Sequence, residues 1–460
     1  MKQLFKGKKI TIMGLGLHGG GAGIAKFFCI QGADVLVTDL KTKEQLKESI
    51  EKLKKFDIKY TLGKHEVKDF ITADLIVKNP DVPNSSPYLE IARKNNVKIE
   101  TDINLFFELS KAFIIGVTGT KGKSTVASLI YHLLKTKYPR IFLAGNIGVS
   151  PLELLTKIKR GDKVVLELSS FELESLQKSP NIAVVTNILP DHLNRYEGMA
   201  GYISAKEIIF KYQNKKDILI LNYDDKTVGD FSIKAHCQYY FYSVKEKPKN
   251  SACFIRDNNV FYDNIKKPIM NLKNFNLQGE HNILNLLAAV SVAKLMKVSS
   301  QIIRKSIKSF KGVHSRQELV RELNGVKYFN DTTATMPDAV IAAIRSFYER
   351  FSNSQLILIC GGQDKNLTYD NLAKEINEKI NHLVILPGTA SDKIKKELLK
   401  INSKVPIIEV TSMKDAVKEA KNKASKKDIV LLSPAAASFN LFKNEFDRGD
   451  QFKKFVKDLK

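Results

Sequence analysis

A glycine-rich loop with a lysine and two hydroxyl residues gives the clearest chemical signal in this sequence. The segment Thr118-Gly-Thr-Lys-Gly-Lys-Ser-Thr125 follows an apolar run and precedes a helical pattern. Backbone N–H groups at such a helix start can cradle phosphates, Lys123 can neutralise their charge, and the hydroxyl of Ser124 or Thr125 can bind Mg²⁺. Val117 stands where the strict phosphate-loop pattern has its first glycine. The segment therefore predicts a nucleoside triphosphate site with a variant loop.

A second glycine-rich turn lies near the N-terminus. Gly14-Leu-Gly16-Leu-His-Gly19 separates a predicted strand from a predicted helix, and Asp39 closes the next strand, 20 residues beyond the motif. This spacing is typical of a dinucleotide-binding turn, in which glycines let the backbone approach a pyrophosphate and the acid holds ribose hydroxyls. A tight strand-to-helix turn is the alternative. Further glycines at positions 20, 21 and 23 weaken the match, because we expect them to loosen the helix start.

Carboxylates and an imidazole follow two later strands. Glu167 ends a predicted strand, and Asp191 and His192 follow the strand that ends at Thr186. Because ligands of an open α/β sheet bind at the carboxyl ends of its strands, these side chains are expected at a ligand site. A carboxylate with a nearby imidazole suits Mg²⁺ held by few protein ligands. A solvated strand end for Glu167 and a structural loop histidine for His192 are the alternatives.

Two phosphate-type turns in one chain favour ATP at one and a nucleotide-carrying substrate at the other. A dinucleotide-dependent oxidoreductase, the alternative from a different class, would explain residues 10–39. It would leave Lys123 and Glu167 without a role.

Strands and helices alternate along the whole chain and would position these residues. Predicted strands lie at residues 9–13, 33–38, 112–117, 163–167, 182–186, 217–221, 356–359, 383–386 and 428–432. A β-rich excursion is predicted over residues 236–275, with a helix resuming near Ile283. The pattern predicts a three-domain α/β protein. Its parts are a Rossmann-like nucleotide domain at 1–101, a central parallel-sheet domain of the P-loop ATPase type at 102–312, and a Rossmann-like α/β domain at 313–460.

Composition and charge limit the classes of protein. Lys+Arg 74 against Asp+Glu 49 gives a net charge of +25, but no basic block is interleaved with aromatics, so anionic small molecules are favoured over nucleic acid. No apolar run approaches the roughly 20 residues that span a bilayer, and the first residues lead into a strand rather than a secretory signal. Four scattered cysteines without a CxxC pair favour a reducing, cytoplasmic compartment and no structural zinc.

Taken together, these motifs resemble the Mur ligases, cytoplasmic enzymes that form amide bonds in peptidoglycan precursor synthesis. The resemblance runs the full length of the chain and is closest to the D-glutamate-adding branch. Besides the two glycine turns, it rests on residues 144–148, 167–171, 191–196, 279–285, 330–331, 361–362, 365 and 433–438. It implies an ADP-forming acid–amino-acid ligase of cell wall biogenesis. This enzyme would join D-glutamate to UDP-N-acetylmuramoyl-L-alanine through an acyl phosphate, with ATP and two Mg²⁺ ions.

The resemblance also implies roles for individual residues. The catalytic residues would be Lys123, His192 and Lys206. The Mg²⁺ ligands would be Ser124, Glu167, His192 and Lys206, the last as a carbamate. ATP would contact Gly119, Thr120, Lys121, Gly122, Lys123, Ser124, Thr125, Asn282, Asn285, Arg316 and Asp331. The uridine diphosphate substrate would contact Gly14, Leu17, His18, Asp39 and Asn146. D-Glutamate would contact Thr335, Lys365, Ser438 and Phe446.

Four positions depart from the family pattern. Ser315 replaces a histidine, Thr333 a lysine and Asp81 a glycine, and the aromatic at Phe446 is shifted by one place. These departures concern substrate contacts and not the ATP loop. An L-alanine-adding Mur ligase is the nearest alternative, and residues 167–174 together with Lys365 favour D-glutamate. We expect a monomer whose third domain closes when substrates bind.

Overall fold

Three sheets flanked by helices make up the protein. The computed structural model describes residues 3–16, 20–147, 149–191, 193–196, 198–263, 265–275, 277, 279–310, 312–313, 315–364, 367–438 and 441–460. The chain divides into a larger unit, Met1–Asn276 with Glu280–Phe310, and a smaller unit, Leu277–Gly279 with Lys311–Lys460. The larger unit contains the first two sheets, and the smaller unit contains the third.

The first sheet is wholly parallel and has the order β3-β2-β1-β4-β5. Its strands are β1 Lys9–Met13, β2 Asp34–Asp39, β3 Ile58–Leu62, β4 Leu75–Lys78 and β5 Lys98–Thr101. Its helices are α1 Gly20–Ile30, α2 Lys47–Glu51, α3 Lys68–Ile71, α4 Pro87–Lys94 and α5 Asp102–Leu109. The strand order reverses between β1 and β4, so a ligand crevice is expected beyond their carboxyl ends.

The central sheet has nine strands in the order β14-β13-β12-β11-β10-β9-β6-β8-β7. The strands are β6 Phe113–Thr118, β7 Ile141–Gly145, β8 Lys163–Glu167, β9 Ile182–Val185, β10 Ile218–Asn222, β11 Gln238–Ser243, β12 Ser251–Arg256, β13 Asn259–Tyr262 and β14 Met270–Asn271. The helices are α6 Lys123–Leu134, α7 Pro151–Leu154, α8 Ser170–Leu173, α9 Leu193–Tyr196, α10 Met199–Lys211, α11 Lys226–Lys234, α12 Glu280–Leu295 and α13 Ser300–Ser309, with a 3₁₀ turn at Leu272–Asn274. The β12–β13 and β13–β14 pairs are antiparallel, and the other pairs described for this sheet are parallel. The predicted β-rich excursion over 236–275 is confirmed.

The third sheet has the order β15-β16-β20-β17-β18-β19. Its strands are β15 Glu318–Leu323, β16 Val326–Asn330, β17 Leu356–Gly361, β18 His382–Leu386, β19 Ile407–Glu409 and β20 Ile429–Leu432. Its helices are α14 Pro337–Arg350, α15 Asp370–Lys379, α16 Thr389–Lys400, α17 Met413–Lys423 and α18 Glu445–Lys457. All pairs are parallel except β15 with β16. The three sheets are mostly parallel and are flanked by helices. This arrangement confirms the predicted α/β fold class.

Apolar runs that are buried on both faces of the sheets form the core. Val164, Val165 and Leu166 in β8 are fully buried, as expected for a strand covered by helices on both sides. One hydrophobic cluster continues from the first sheet, with Ile10, into the central sheet. The third sheet has a separate cluster on each face. Within the described ranges, no helix combines the length and apolarity needed to cross a membrane.

The glycines that follow the N-terminal turn lie at close contacts of α1. The expectation that they loosen the helix start is wrong, because α1 begins at Gly20. A Cβ on Gly21 would collide with the carbonyl oxygen of Leu15, and one on Gly23 would lie 2.6 Å from Cβ of Ser150. The missing side chains therefore let α1 approach both the turn and the segment that leads into α7.

A fully buried arginine joins two loops of the third sheet. Arg448 in α18 donates from Nε to Oγ1 of Thr332 at 3.0 Å and from Nη2 to the Thr332 carbonyl at 2.9 Å. Its Nη1 donates to the carbonyl of Ala436 at 3.0 Å. Burial lowers the pKa of Arg448 to about 10, so the guanidinium remains charged at neutral pH. The loops after β16 and β20 therefore depend on one cation for their relative position.

We predict that Arg448→Met destabilises the smaller unit by about 2–3 kcal/mol, because buried carbonyls lose charged donors. The matched control is Arg345→Met, which removes a mostly exposed guanidinium paired with Glu375 at 2.7 Å and should destabilise the unit much less. Native-state hydrogen exchange of the β20 amides measures both changes. Equal protection in the two variants would contradict the prediction.

Candidate functional site

The predicted phosphate loop lies between β6 and α6 and is held by the segment that follows β9. The amide of Lys121 donates to Oδ1 of Asn187 at 2.9 Å, and the amide of Thr120 donates to the Asn187 carbonyl at 2.9 Å. The Thr186 hydroxyl donates to the Lys121 carbonyl at 2.6 Å. Because β6 and β9 are neighbours in the sheet, these bonds hold the loop at the carboxyl end of β6.

Two glycines of the loop cannot carry a side chain. Gly119 has φ +143° and Gly122 has φ +85°. A Cβ on Gly119 would collide with Oγ1 of Thr186, and one on Gly122 would collide with the side-chain oxygen of Asn285. The loop therefore needs glycine at both positions for its backbone conformation and for close packing.

Two lysines converge on the carbonyl oxygen of Gly119. Lys123 donates from Nζ to this oxygen at 3.0 Å and to the Thr120 carbonyl at 3.0 Å. Lys206, in α10, donates to the same Gly119 oxygen at 2.9 Å and lies 3.3 Å from Oγ1 of Thr118. The structure thus brings together the two predicted catalytic lysines, one from the loop and one from a distant helix.

Lys206 lies in an environment that disfavours its charge. The residue is only 1% exposed. Burial, together with the ammonium of Lys123, lowers its pKa to about 7, against the opposing pull of Asp191, Glu172 and Glu167. A large part of Lys206 is therefore the neutral amine at neutral pH, and only that form can react with carbon dioxide to give a carbamate.

Glu167 ends β8, next to β6, with a carboxylate oxygen available to a ligand. The side chain is 1% exposed, and Nδ2 of Asn146 lies 3.4 Å from its Oε1. Its Oε2 is buried and has no hydrogen-bond partner in the described part of the chain. A buried carboxylate oxygen without a donor is costly, and a divalent cation would satisfy it. These features fit the predicted role in binding Mg²⁺.

The remaining predicted metal ligands are placed as follows. Ser124 is buried in the first turn of α6, directly after Lys123. His192 lies outside the described residues. Among those that are described, no group of three or more His, Cys, Asp or Glu side chains is arranged to hold a metal. The predicted metal ligands would thus be the Ser124 hydroxyl, the Glu167 carboxylate and a carbamylated Lys206, together with His192.

The predicted adenine contacts lie at the start of α12, which packs against α6. Asn285 is buried beside Gly122, and its Nδ2 lies 3.5 Å from Oδ1 of Asn282. The structure thus brings Asn285 to the phosphate loop, with Asn282 one helical turn earlier.

Asp39 organises the N-terminal glycine turn through backbone bonds. Its Oδ2 accepts from the amides of Leu15 at 2.9 Å and Gly16 at 3.1 Å, and its Oδ1 accepts from the amide of Lys41 at 2.9 Å. Two amides of the turn are therefore already bonded within the protein. Leu17 and His18 lie outside the described residues.

In the smaller unit, the loops after β16 and β20 meet at Asp331. Ser433 donates its hydroxyl to Oδ2 of Asp331 at 2.9 Å, and the amide of Gln317 donates to Oδ1 at 3.2 Å. Burial raises the pKa of Asp331 to about 7, with the hydrogen bonds and Arg316 acting against that rise. Arg316 itself lies in the turn before β15.

The predicted amino-acid contacts lie on these same loops. Thr335 follows Asp331, and Ser438 follows β20 with its hydroxyl buried and without a hydrogen-bond partner among the described residues. Phe446 is 40% exposed on α18. Lys365 falls outside the described residues. Because Arg448 links the two loops, it brings the Thr335 and Ser438 segments to one edge of the sheet.

Two of the departures from the family pattern contact each other. The hydroxyl of Thr333 donates to the carbonyl of Ser315 at 3.0 Å, and its amide donates to the same oxygen at 3.3 Å. Ser315 is fully buried, with φ +66°. The small residues at these two positions therefore fit one local packing arrangement.

Sequence reasoning missed several residues that hold the site. The hydroxyl of Tyr202 lies 3.1 Å from Oγ1 of Thr120, and Tyr202 is one helical turn before Lys206. That i, i+4 spacing on α10 was a signal that could have identified it. Asn187 and Arg448 carry no comparable local signal, because their partners are remote in sequence.

The comparisons with known protein families cover nearly the whole chain. The N-terminal domain described as Mur ligase MurD-like matches residues 8–101. The Mur ligase middle domain matches residues 117–293, and the Mur ligase glutamate ligase domain matches residues 315–436.

Solved structures share the fold at low sequence identity. UDP-N-acetylmuramate-alanine ligase MurC from Thermotoga maritima is 20% identical, with a TM-score of 0.65, and the match covers 98% of this chain and 99% of that chain. A pseudomurein peptide ligase type C from Methanothermus fervidus is 19% identical, with a TM-score of 0.57, and the match covers 98% and 100%. These likenesses support the three-domain architecture.

Full-length relatives of known name are closer in sequence. UDP-N-acetylmuramoylalanine–D-glutamate ligase from Roseiflexus sp. (strain RS-1) is 40% identical over 98% of this chain and 99% of that protein. The enzymes of the same name from Acetivibrio thermocellus and Borreliella afzelii are each 38% identical, and the matches cover at least 98% of both chains. This chain therefore belongs to the Mur ligase family, and within it groups with the UDP-N-acetylmuramoylalanine–D-glutamate ligases.

Proposed function

We propose that this protein joins D-glutamate to UDP-N-acetylmuramoyl-L-alanine, with cleavage of ATP to ADP and phosphate. The full-length similarity to ligases of that name supports the reaction. The structural observation that carries it is the pair Lys123 and Lys206 on the Gly119 carbonyl, next to β8, which ends in the unpartnered Glu167 oxygen. The nucleotide-linked substrates and ATP are cytoplasmic metabolites, so the proposal includes a cytoplasmic enzyme. The proposal also includes that the enzyme acts as a monomer.

The larger unit activates the carboxylate. Forming an amide in water is uphill, so the alanyl carboxylate first attacks the γ-phosphoryl group of ATP and becomes an acyl phosphate. The phosphates bind at the start of α6, and the Lys123 ammonium neutralises charge that develops on the transferred group. Asn282 and Asn285 hold the adenine side. These residues act mainly by positioning and charge neutralisation.

Ser124, Glu167, His192 and a carbamylated Lys206 would hold Mg²⁺, as two ions. When bound, the metal supplies positive charge to the phosphate oxygens. Carbamylation removes the like-charge conflict between Lys206 and Lys123 and replaces it with an attraction. The unpartnered Oε2 of Glu167 and the depressed pKa of Lys206 are the features of this chain that support the assignment.

The two remaining sets of residues hold the other substrates. Gly14, Leu17, His18, Asp39 and Asn146 are assigned to the nucleotide precursor. Thr335, Lys365, Ser438 and Phe446 are assigned to D-glutamate, and Arg316 and Asp331 to ATP. An ammonium at Lys365 suits a dicarboxylic amino acid. The D-glutamate amine attacks the acyl phosphate, and phosphate leaves from the tetrahedral intermediate.

The direct test is phosphate release with the alanyl precursor and a panel of amino acids. We expect turnover with D-glutamate and at least about a hundredfold lower kcat/KM with L-glutamate, because the reversed stereocentre cannot present both carboxylate and amine. The control reaction supplies L-alanine with the precursor that lacks alanine. Turnover only in that reaction would assign the chain to the L-alanine-adding branch.

Gly119→Ala should abolish phosphate release, because its Cβ would collide with Oγ1 of Thr186 and displace the loop. Gly161→Ala is the matched control. Gly161 also has a positive φ, +92°, but a Cβ there would meet nothing within 4 Å. Both variants carry backbone strain, so a difference in kcat isolates the packing of the phosphate loop. Equal activity of the two would contradict this account of the loop.

Carbamylation of Lys206 should depend on pH through the neutral amine. With a folded-state pKa of about 7, roughly a tenth of the side chain is neutral at pH 6 and roughly nine tenths at pH 8. The carbamate signal after addition of ¹³C-bicarbonate, measured by NMR, should therefore rise between these values and be absent in Lys206→Met. A signal that persists in Lys206→Met would assign the carbamate to another group.

A further inference from the structure

A short loop after β4 covers the N-terminal glycine turn. The amide of Asn79 donates to the carbonyl of Met13 at 2.9 Å, and a Cβ on Gly14 would lie 2.9 Å from Cβ of Asn79. The loop, residues 79–82, therefore lies at the carboxyl ends of β1 and β4, where this sheet reverses its strand order. That is the place where an open α/β sheet binds its ligand.

A buried lysine holds one end of this loop. Lys78 is the last residue of β4 and is 3% exposed, and its Nζ donates to the carbonyl of Val82 at 3.0 Å. Within the loop, the amide of Asp81 donates to Oδ1 of Asn79 at 3.1 Å. Asp81 is one of the departures from the family pattern.

An arginine from the central domain holds the middle of the loop. Arg195 donates from Nη2 to the carbonyl of Pro80 at 3.1 Å. The same guanidinium makes a forked pair with Glu174, from Nε at 3.2 Å and from Nη2 at 3.1 Å. Its central carbon lies 3.9 Å from the centre of the Phe171 ring. The ion pair with Glu174 and the contact with the Phe171 ring together fix the plane of the guanidinium. A lysine ammonium cannot reproduce this arrangement.

The segment that carries Glu174 also carries the candidate metal ligand. Glu167 ends β8, and the chain continues through α8 to Glu174. Just beyond, the hydroxyl of Ser175 lies 2.8 Å from Oγ1 of Thr101, and the amide of Gln177 donates to Oδ1 of Asn104 at 3.2 Å. The 167–177 segment is therefore hydrogen-bonded to residues 101–104, which connect the N-terminal and central domains. Arg195 links the same segment to the 79–82 loop.

We propose that Arg195 is a positioning residue that sets the distance between the nucleotide crevice and the reacting carboxylate. The inference rests on the proposed function, in which one precursor molecule binds by its nucleotide in the N-terminal domain and reacts at its other end. Such a substrate requires both domains to be in register. Arg195 supplies that register by joining Pro80 to Glu174, and an error of about 1 Å in such positioning lowers rates by about a hundredfold.

The test compares Arg195→Met with wild type in the full-length enzyme. We expect kcat/KM for the alanyl nucleotide precursor to fall by about tenfold to a hundredfold, while KM for ATP stays within about twofold. Arg195→Lys keeps the positive charge but cannot make the forked pair, so it should not restore kcat/KM for the precursor. Glu174→Gln should reproduce the defect, and the double variant should be no worse than Arg195→Met alone.

The matched control is Arg93→Met. Arg93 is exposed and donates to the carbonyl of Asn84 at 3.0 Å, just beyond the same loop, and no hydrogen bond or ion pair among the described residues joins it to the central domain. Its kinetics should stay within about twofold of wild type. An unchanged kcat/KM for the precursor in Arg195→Met, or a rise of the KM for ATP beyond about twofold in the same variant, would overturn the proposal.

A second measurement separates this inference from the proposed function. Hydrogen exchange at the Asp81 and Val82 amides should accelerate in Arg195→Met and Arg195→Lys, but not in Arg93→Met. This readout needs no substrate. Wild type that fails to turn over the precursor would refute the proposed function, whereas unchanged exchange at these amides would refute the role of Arg195.

Discussion

The carbonyl oxygen of Gly119 accepts hydrogen bonds from two ammonium groups, and the rest of the site follows from that convergence. Lys123 and Lys206 donate to it at 3.0 and 2.9 Å inside a buried loop. Two like charges in a poorly solvated place are unfavourable unless anions join them or one charge is lost. In the proposed mechanism, phosphates and Glu167 would supply the first remedy, and loss of the Lys206 proton, followed by carbamylation, would supply the second. The site is thus built for an anionic ligand.

The strand order of the central sheet explains which residues lie beside the phosphate loop. In the central sheet, β6 lies between β8 and β9. The ends of these two neighbours deliver Glu167 on one side and Thr186 with Asn187 on the other. In the first sheet, residues at the ends of neighbouring strands likewise hold the glycine turn that follows β1. These are Asp39, at the end of β2, and the 79–82 loop, which follows β4. One hydrophobic cluster continues between the two sheets, so the two edges belong to a single packed unit.

The smaller unit follows the same principle with a different organising group. There a buried guanidinium, Arg448, links the loops after β16 and β20, and the Ser433 hydroxyl bonds to Asp331 between them. Ser315 and Thr333, two of the positions that depart from the family pattern, contact each other beneath this edge. Because these two residues contact each other, local packing explains why both positions depart from the family pattern. We propose that these loops bind the amino acid.

The sequence by itself determined the elements whose signal is local. Buried strands such as β1 and β8 appear as apolar runs, and the phosphate loop is recognisable because its glycines, lysine and hydroxyls are adjacent in the chain. Short, half-exposed strands such as β3 and β15 were not predicted, because their stability comes from pairing with remote partners. Tertiary structure alone decided that Lys206 meets the Gly119 carbonyl, that Asp39 binds the turn amides and that Arg195 reaches Pro80. These contacts join residues that are separated by 23 to 115 positions, and no local pattern encodes such a distance.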